Sequence, residues 1–434
     1  MTTQAVGTAT SRRQVIAWSL WDWGSAAFNA VIVTFVFSVY LVDSVGKDLP
    51  GSISAASWLA WSIAAAAIVI AVLAPVTGRQ ADAGGRRKRS LAFLTGAVVV
   101  VSALMFFVRD DYHYLWLGLL LLAIGEILFE LAQVPYFAML RQVSTPATVG
   151  RVSALGWAFG YLGGIVLLLI CFVGLIDGDG GALGVSTDDG LNIRVVVLVA
   201  AVWFAVFALP ALLLVPELPA DASPAPRTGV IGAYRGVAAD LKRMWNDDRV
   251  VVQYLLASAV FRDGLAGVFA FGAVLAVSSY GFTSSTVIQF AIAANVVSAA
   301  GALLAGRIDD TVGPRVVISF SLASMLAAGT ALLFLDGTTA FWIFGLALCL
   351  FVGPAQSSAR TYLARLTPPG QEGQNFGFYA MTGRAASFLT PALFGLCAYL
   401  GGEDRWGILG IMIVLAAGLA ALLAVPKDLR DRAL

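Results

Sequence analysis

Twelve apolar runs, separated by short polar turns, are each long enough to cross the roughly 30 Å hydrocarbon core of a bilayer. The first is read over Val15–Val42, the eleventh over Gly373–Leu400 and the last over Trp406–Val425. Hydrophobic residues make up 59% of the chain and charged residues 12%, against about 25% charged in an ordinary soluble domain. The expected class is therefore an all-α integral membrane protein with twelve transmembrane helices. A formal net charge of +1 over 434 residues provides no electrostatic footing for nucleic acid. The three cysteines, Cys171, Cys349 and Cys397, lie inside apolar runs, where they read as packing residues and not as a metal site or disulfide framework. No metal or cofactor is expected. The first apolar run is too long for the core of a cleavable signal peptide, and no small-residue cleavage pattern follows it.

The basic residues orient the expected spans. Of the 27 Lys and Arg, only Lys47, Arg109, Arg194 and Arg405 fall in loops on one side, and Arg262, Arg360 and Arg384 fall within spans. All the others lie on the side of the two termini. That bias places both termini in the cytoplasm, and a plasma-membrane location is expected.

A polar interruption from Glu217 to Arg249 contains PELPADASPAPRTG and a basic, amphipathic piece, AYRGVAADLKRMW. It reads as a cytoplasmic linker over 217–249 between a six-helix bundle at 1–216 and a second at 250–434. An internal echo supports the division. Gly78, Asp82, Gly85 and Arg87 in GRQADAGGRR recur at one constant displacement as Gly306, Asp310, Gly313 and Arg315 in GRIDDTVGPR. Gly150 and Gly156 recur as Gly377 and Gly383 at a displacement one residue shorter. Both copies of the first motif lie between the second and third span of a half, the pattern of a duplicated unit with pseudo-symmetric bundles. In this motif the glycines are expected to permit a tight turn, and Arg86, Arg87 and Arg315 to anchor at anionic headgroups. The aspartates are expected to accept from helix N-terminal amides or to pair with arginine.

Twelve spans in two halves, with GxxxDxxGxR between spans two and three, resemble the major facilitator superfamily. More narrowly, AWSLWDWGSAAFNAVIVTFVF resembles the opening helix of its vacuole-effluxer-like, autophagy-related branch. Asp263-Gly264 in span seven and the stretch from Ala359 to Gly395 are similar to that branch as well. The resemblance implies alternating access by rocking of the two halves, with the Asp82 and Asp310 loops as gating elements. It also implies that spans one, four, seven and ten line a central path, and it points to amino-acid efflux. Two departures matter. Span four carries Glu126 and Glu130 where many proton-coupled members have an arginine, and Tyr161 stands where the antiporter motif of span five has a proline.

Seven ionisable residues fall well inside spans: Asp22, Glu126, Glu130, Arg262, Asp263, Arg360 and Arg384. At a lipid-facing helix centre each would cost roughly 2.5–3.5 kcal/mol, on the order of 20 kcal/mol for the set. They must pair, hydrogen-bond or line a wet cavity. Helical spacing groups Trp18, Asp22, Ser25 and Asn29 in one stripe, Glu126, Glu130 and Gln133 in another, and Gln356 with Arg360 in a third. Each residue also has a structural reading. Arg262 and Asp263 serve equally as an ion pair or interhelical tie, Trp18 as a packing residue, Glu130 as a tie to a nearby arginine, and Arg360 as a gate. His113, at the mouth of span four, reads as interfacial. Gly156, Gly160 and Gly164 read as a close-packing face.

The solute-contact candidates are thus Trp18, Asp22, Ser25, Asn29, Glu126, Glu130, Arg262, Asp263, Gln356, Arg360 and Arg384. Asp22, Glu126, Glu130 and Asp263 are the candidates for carrying a proton. No phosphate-binding loop and no catalytic cluster is present in the sequence, so the expectation is a non-enzymatic, monomeric secondary transporter for a small polar or zwitterionic solute in the lipid bilayer. The alternatives are a lipid or lysolipid flippase on the same fold, which requires a lateral apolar portal, and a non-transporting receptor or scaffold, which requires closed ion pairs without a cavity.

Overall fold

A computed structural model describes residues 11–83, 87–217 and 230–427. Gly85 and Arg86 of the first loop motif, and most of the proline-rich part of the linker, lie outside the described residues. Among the described residues, eleven helices are long and apolar enough to cross a membrane. They are α1 (Arg12–Val45), α2 (Ala55–Asp82), α3 (Arg87–Phe107), α4 (Tyr112–Gln142), α5 (Val149–Ile176) and α6 (Asp188–Leu214) in the first half. In the second half they are α7 (Arg249–Ser278), α8 (Thr286–Val312), α9 (Pro314–Phe334), α10 (Thr338–Leu366) and α12 (Asp404–Ala424). The remaining span is broken into α11a (Glu372–Ala386) and α11b (Leu389–Gly401). Counting the broken helix, the fold is the twelve-span architecture expected from hydropathy. A further helix, Val230–Asp247, connects the halves. The face of the molecule that carries this linker is called the linker face below.

The break in α11 has a local cause. Pro391 has no N–H to donate and restricts the residue before it, and the chain turns at Ser387-Phe388. Such a break survives at bilayer depth only if the freed backbone groups find other partners. One does: the Thr390 N–H donates to Asp263 Oδ2 at 2.6 Å.

α1 departs from a regular helix too. Its turns widen over Ala27–Phe35, a distortion that shifts the register of side chains along the helix. Below the widening, Trp18 and Trp21 are fully buried. The Trp18 indole donates to the Tyr136 carbonyl at 3.1 Å and stacks on the Tyr136 ring at 4.5 Å. Trp21 donates to Thr95 at 3.1 Å. These contacts pin α1 against α3 and α4 and set the rotation of Asp22.

Between the halves, α2 packs along α11a, and α5 packs along α8. The glycines of the loop motif work inside these helix crossings. Gly78 sits in α2 against the backbone of Gly373, and a Cβ at Gly306 would lie 2.5 Å from the Ala154 methyl and 3.0 Å from the Arg151 Cα. Gly78 and Gly306 therefore permit close approach of helices from opposite halves, which corrects their reading as turn glycines. Gly313, at φ 92°, is the one described motif glycine that makes a turn.

Candidate functional site

At the midplane, α4, α5, α7, α10 and α11a enclose a cavity of about 230 Å³, far above the roughly 10–15 Å³ needed for one ordered water. Its depth follows from helix geometry. Arg262 is thirteen residues into α7, about 20 Å from the linker face at 1.5 Å per residue. Of the candidate residues, Glu130, Arg262, Asp263, Gln356, Arg360 and Arg384 line it. Trp18, Asp22, Ser25, Asn29 and Glu126 do not.

Asp22 is the counter-ion of Arg360, across the interface between halves. Arg360 Nη1 lies 3.3 Å from Asp22 Oδ2, and the arginine also donates to the Ser153 hydroxyl at 3.0 Å and the Ser153 carbonyl at 2.6 Å. The guanidinium stands 4.9 Å over the Trp18 ring, and the Arg360 side chain is only 1% exposed. Gly156 makes the space for this pair: a Cβ there would fall 2.5 Å from Asp22 Oδ2 and 2.9 Å from Arg360 Nη2. Ser25 turns back to its own helix, donating to the Asp22 carbonyl at 3.1 Å. Asn29 lies beyond the start of the widened turn and is exposed, so the strict i, i+11 relation to Trp18 does not hold.

Glu126 and Glu130 share Arg384, reached across the interface from α11a. Arg384 Nη2 donates to Glu126 Oε1 at 2.7 Å and also contacts Glu130 Oε1. Gln133 donates to Glu130 at 3.1 Å. Two carboxylates thus face one guanidinium, and Glu126 Oε2 is buried without a donor among the described residues.

Arg262 and Asp263 form no ion pair with each other among the described residues. Asp263 caps α11b through Thr390, as an interhelical tie. Arg262 donates to the Tyr379 carbonyl at 3.0 Å and stands 3.5 Å over the Tyr379 ring. Gln356 is bound by Tyr161, whose hydroxyl donates to its Oε1 at 2.6 Å. Tyr161, noted in sequence only as a departure, is therefore a cross-interface contact.

Two pseudo-symmetric locks join the halves at the linker face. Asp82 accepts from the Gly373 and Gln374 amides at 2.9 and 2.7 Å, capping α11a, and from Arg87 Nη2 at 2.6 Å. Arg87 Nη2 also reaches Glu372 Oε2 at 2.6 Å. Arg87 is buried in this network instead of lying among headgroups. Asp310 accepts from the Gly150 amide at 2.8 Å and from Arg151 Nε at 2.9 Å, capping α5. Each aspartate thus caps the first turn of a helix in the other half, where the helix dipole favours a negative charge. Arg315 donates to the Leu423 carbonyl at 3.0 Å. Sequence reading missed Glu372, Arg151, Ser153 and Tyr379. Glu372 and Arg151 sit at helix starts in polar turns, the one signal that pointed to them.

On the other side of the midplane the halves separate. A crevice of about 510 Å³ lies between α1, α5 and α8, bordered by Phe35, Leu168 and Ile288 among others, with Asp43 and Asn295 as polar members. Bonds near the linker face and empty space opposite describe a molecule closed toward the linker face. His113 is exposed in the loop opposite, with Nδ1 2.6 Å from Asp111 Oδ1, outside the midplane cavity. Hydrogen bonds from the His113 backbone and ring hold the Asp111 carboxyl below its ordinary range.

Comparison with known proteins gives this geometry a family. The model of vacuole effluxer Atg22-like proteins matches residues 10–432. A Bacillus subtilis protein described as an uncharacterized MFS-type transporter, YxiO, is 24% identical over 417 residues, covering 96% of this chain and 95% of its own. Autophagy-related protein 22 of Cryptococcus neoformans is 25% identical over 305 residues, covering 65% of this chain and 52% of its own, so the match spans about half of that fungal relative. Among solved structures, the major facilitator transporter FucP in its outward conformation superposes with a TM-score of 0.70 at 15% identity, over 96% of this chain and 99% of that one. The proton:xylose symporter XylE, bound to 6-bromo-6-deoxy-D-glucose, gives 0.71 at 15% identity over 96% and 97%. At such identities the superpositions speak to fold alone. The chain is a multi-pass membrane protein with the major facilitator fold, and it belongs to the vacuole effluxer Atg22-like family.

Proposed function

We propose that the protein is a secondary active transporter that moves a small polar solute by alternating access, with the 1–216 and 250–434 bundles rocking about the midplane cavity. The observation that carries this reading is the charge-lined cavity between the halves, locked on the linker face and parted on the other. The distribution of Lys and Arg supports a cytoplasmic linker face with both termini on that side; with that orientation the form described is outward-facing, and a plasma-membrane location is part of the proposal. The Asp82 and Asp310 caps are the cytoplasmic gate.

The class of solute to test first is the amino acids. A family described as vacuole effluxers and a cavity offering both charge signs support that choice. For coupling, Glu126 and Glu130 are better placed than Asp22 or Asp263. Asp22 is committed to Arg360 and Asp263 to a helix cap, whereas the two glutamates leave one negative charge beyond what Arg384 neutralises, a charge that a proton or a cation can balance.

A second reading, translocation of a lysolipid, is favoured by the apolar crevice between α1, α5 and α8, since an acyl chain needs such a portal. Counterflow separates the two. Proteoliposomes preloaded with a mixture of unlabelled amino acids should accumulate at least one radiolabelled amino acid well above protein-free vesicles. Movement of fluorescent lysolipid with no amino-acid counterflow would replace the first reading by the second.

A further inference from the structure

This inference rests on the transport reading and concerns how the solute lies in the cavity. The three arginines lining it are not equivalent. Arg360 is committed to Asp22 and Ser153, and Arg384 to Glu126 and Glu130. Arg262 has no carboxylate within salt-bridge distance among the described residues. Its neighbour Asp263 does not neutralise it, because successive helix positions point about 100° apart and Asp263 Oδ2 is held by the Thr390 amide at 2.6 Å.

The guanidinium of Arg262 is nevertheless held in place. One N–H goes to the Tyr379 carbonyl and the group stacks on that ring. Gly383 leaves the required room, since a Cβ there would stand 3.1 Å from Nη1 and 3.4 Å from Nη2. Guanidinium has five donors in a fixed fork suited to a carboxylate, and among the described residues Arg262 makes one hydrogen bond, to the Tyr379 carbonyl. Trp157, another lining residue, has an indole N–H without an acceptor among the described residues. On α4 the balance reverses: two carboxylates share one arginine, and Glu126 Oε2 lacks a donor. The site therefore has a free cation on α7 and surplus negative charge on α4.

We infer that Arg262 is the carboxylate anchor of the transport site and that Glu130, the cavity-lining member of the glutamate pair, receives the ammonium group, so that the ligand is a small zwitterion bound across the cavity. Neutral solutes and simple amines bind poorly, because each leaves one buried charge unanswered.

The experiment uses the purified full chain in nanodiscs and measures thermal stabilisation by each standard amino acid and by its α-carboxamide, which keeps the ammonium and removes the carboxylate. The wild type should prefer the acid of a binding pair by roughly 10–100-fold, the range of a charge-assisted hydrogen bond. Arg262→Gln should bring the acid and the amide to within a few-fold of each other, and Arg262→Lys, which keeps the charge, should restore part of the preference. Loss of the preference in the glutamine variant with partial rescue by lysine supports the anchor. A folded Arg262→Gln that keeps the wild-type preference overturns it while leaving the transport reading intact. A wild type that binds no amino acid, and exchanges none in proteoliposomes, overturns the anchor together with the choice of amino acids as the solute.

Discussion

Arg360→Gln is expected to destabilise the protein by about 3–5 kcal/mol, the usual cost of breaking a buried ion pair from one side. The substitution leaves Asp22 without its counter-ion, removes two hydrogen bonds to Ser153 and takes a guanidinium off the Trp18 ring. Asp22→Asn should cost less, about 1–3 kcal/mol, because Arg360 keeps Ser153 and the amide oxygen still accepts. The coupling is the diagnostic quantity. The double variant Asp22→Asn with Arg360→Gln removes both charges and should be more stable than Arg360→Gln alone by at least about 1 kcal/mol. Denaturant unfolding of the detergent-solubilised protein measures this. Strictly additive losses would show that the two side chains do not compensate each other.

The second large effect concerns the gate. Asp82→Ala removes a carboxylate that accepts two amide hydrogens from the other half and an arginine of its own half, and Asp310→Ala one that accepts two amide hydrogens and an arginine from the other half. Charge-assisted hydrogen bonds contribute about 1.5–3 kcal/mol each, so losing one such contact shifts a two-state equilibrium roughly 10–100-fold. The shift favours the form open at the linker face, since the contacts exist only when that face is closed. Spin labels at Ala147 and Thr311, exposed positions flanking the α5–α8 lock, should give a single short distance in the parent. A longer component should grow in Asp310→Ala. An unchanged distribution in both the Asp310 and the Asp82 variant would remove the gating role.

Much of this architecture is legible in the sequence because hydropathy reports directly on span number. The repeated GxxxDxxGxR reports on duplication. Its partners are not legible in the same way. The Asp82 and Asp310 motifs repeat along the chain, yet the helix starts they cap, at Gly373 and Gly150, lie in turns whose composition does not name a partner. Gly78 and Gly306 look like turn glycines because they stand beside charged loops; only the crossing of α2 with α11a and of α5 with α8 makes them packing residues. Asp22 and Arg360 both register as charges at bilayer depth, but they are 338 positions apart and helical spacing says nothing about such a pair. Asn29 fails for a different reason: the ideal 3.6-residue period does not survive the widened turns of α1. The break in α11 had a signal in Pro391, weakened by the tolerance of proline elsewhere in these spans, as at Pro75, Pro135 and Pro354.

The account depends on the midplane charges being wetted from one face at a time. Ser387 lines the cavity and is exposed, so it reports on this directly. A Ser387→Cys chain with Cys171, Cys349 and Cys397 replaced by alanine would be treated with a membrane-impermeant thiol reagent in vesicles of known orientation. Labelling from the face opposite the linker, with labelling from the linker face appearing only after Asp82→Ala and Asp310→Ala are added, is the predicted result. A cysteine that stays unreactive from both faces in every background would mean that the charges are sealed, and the cavity would not be a transport path.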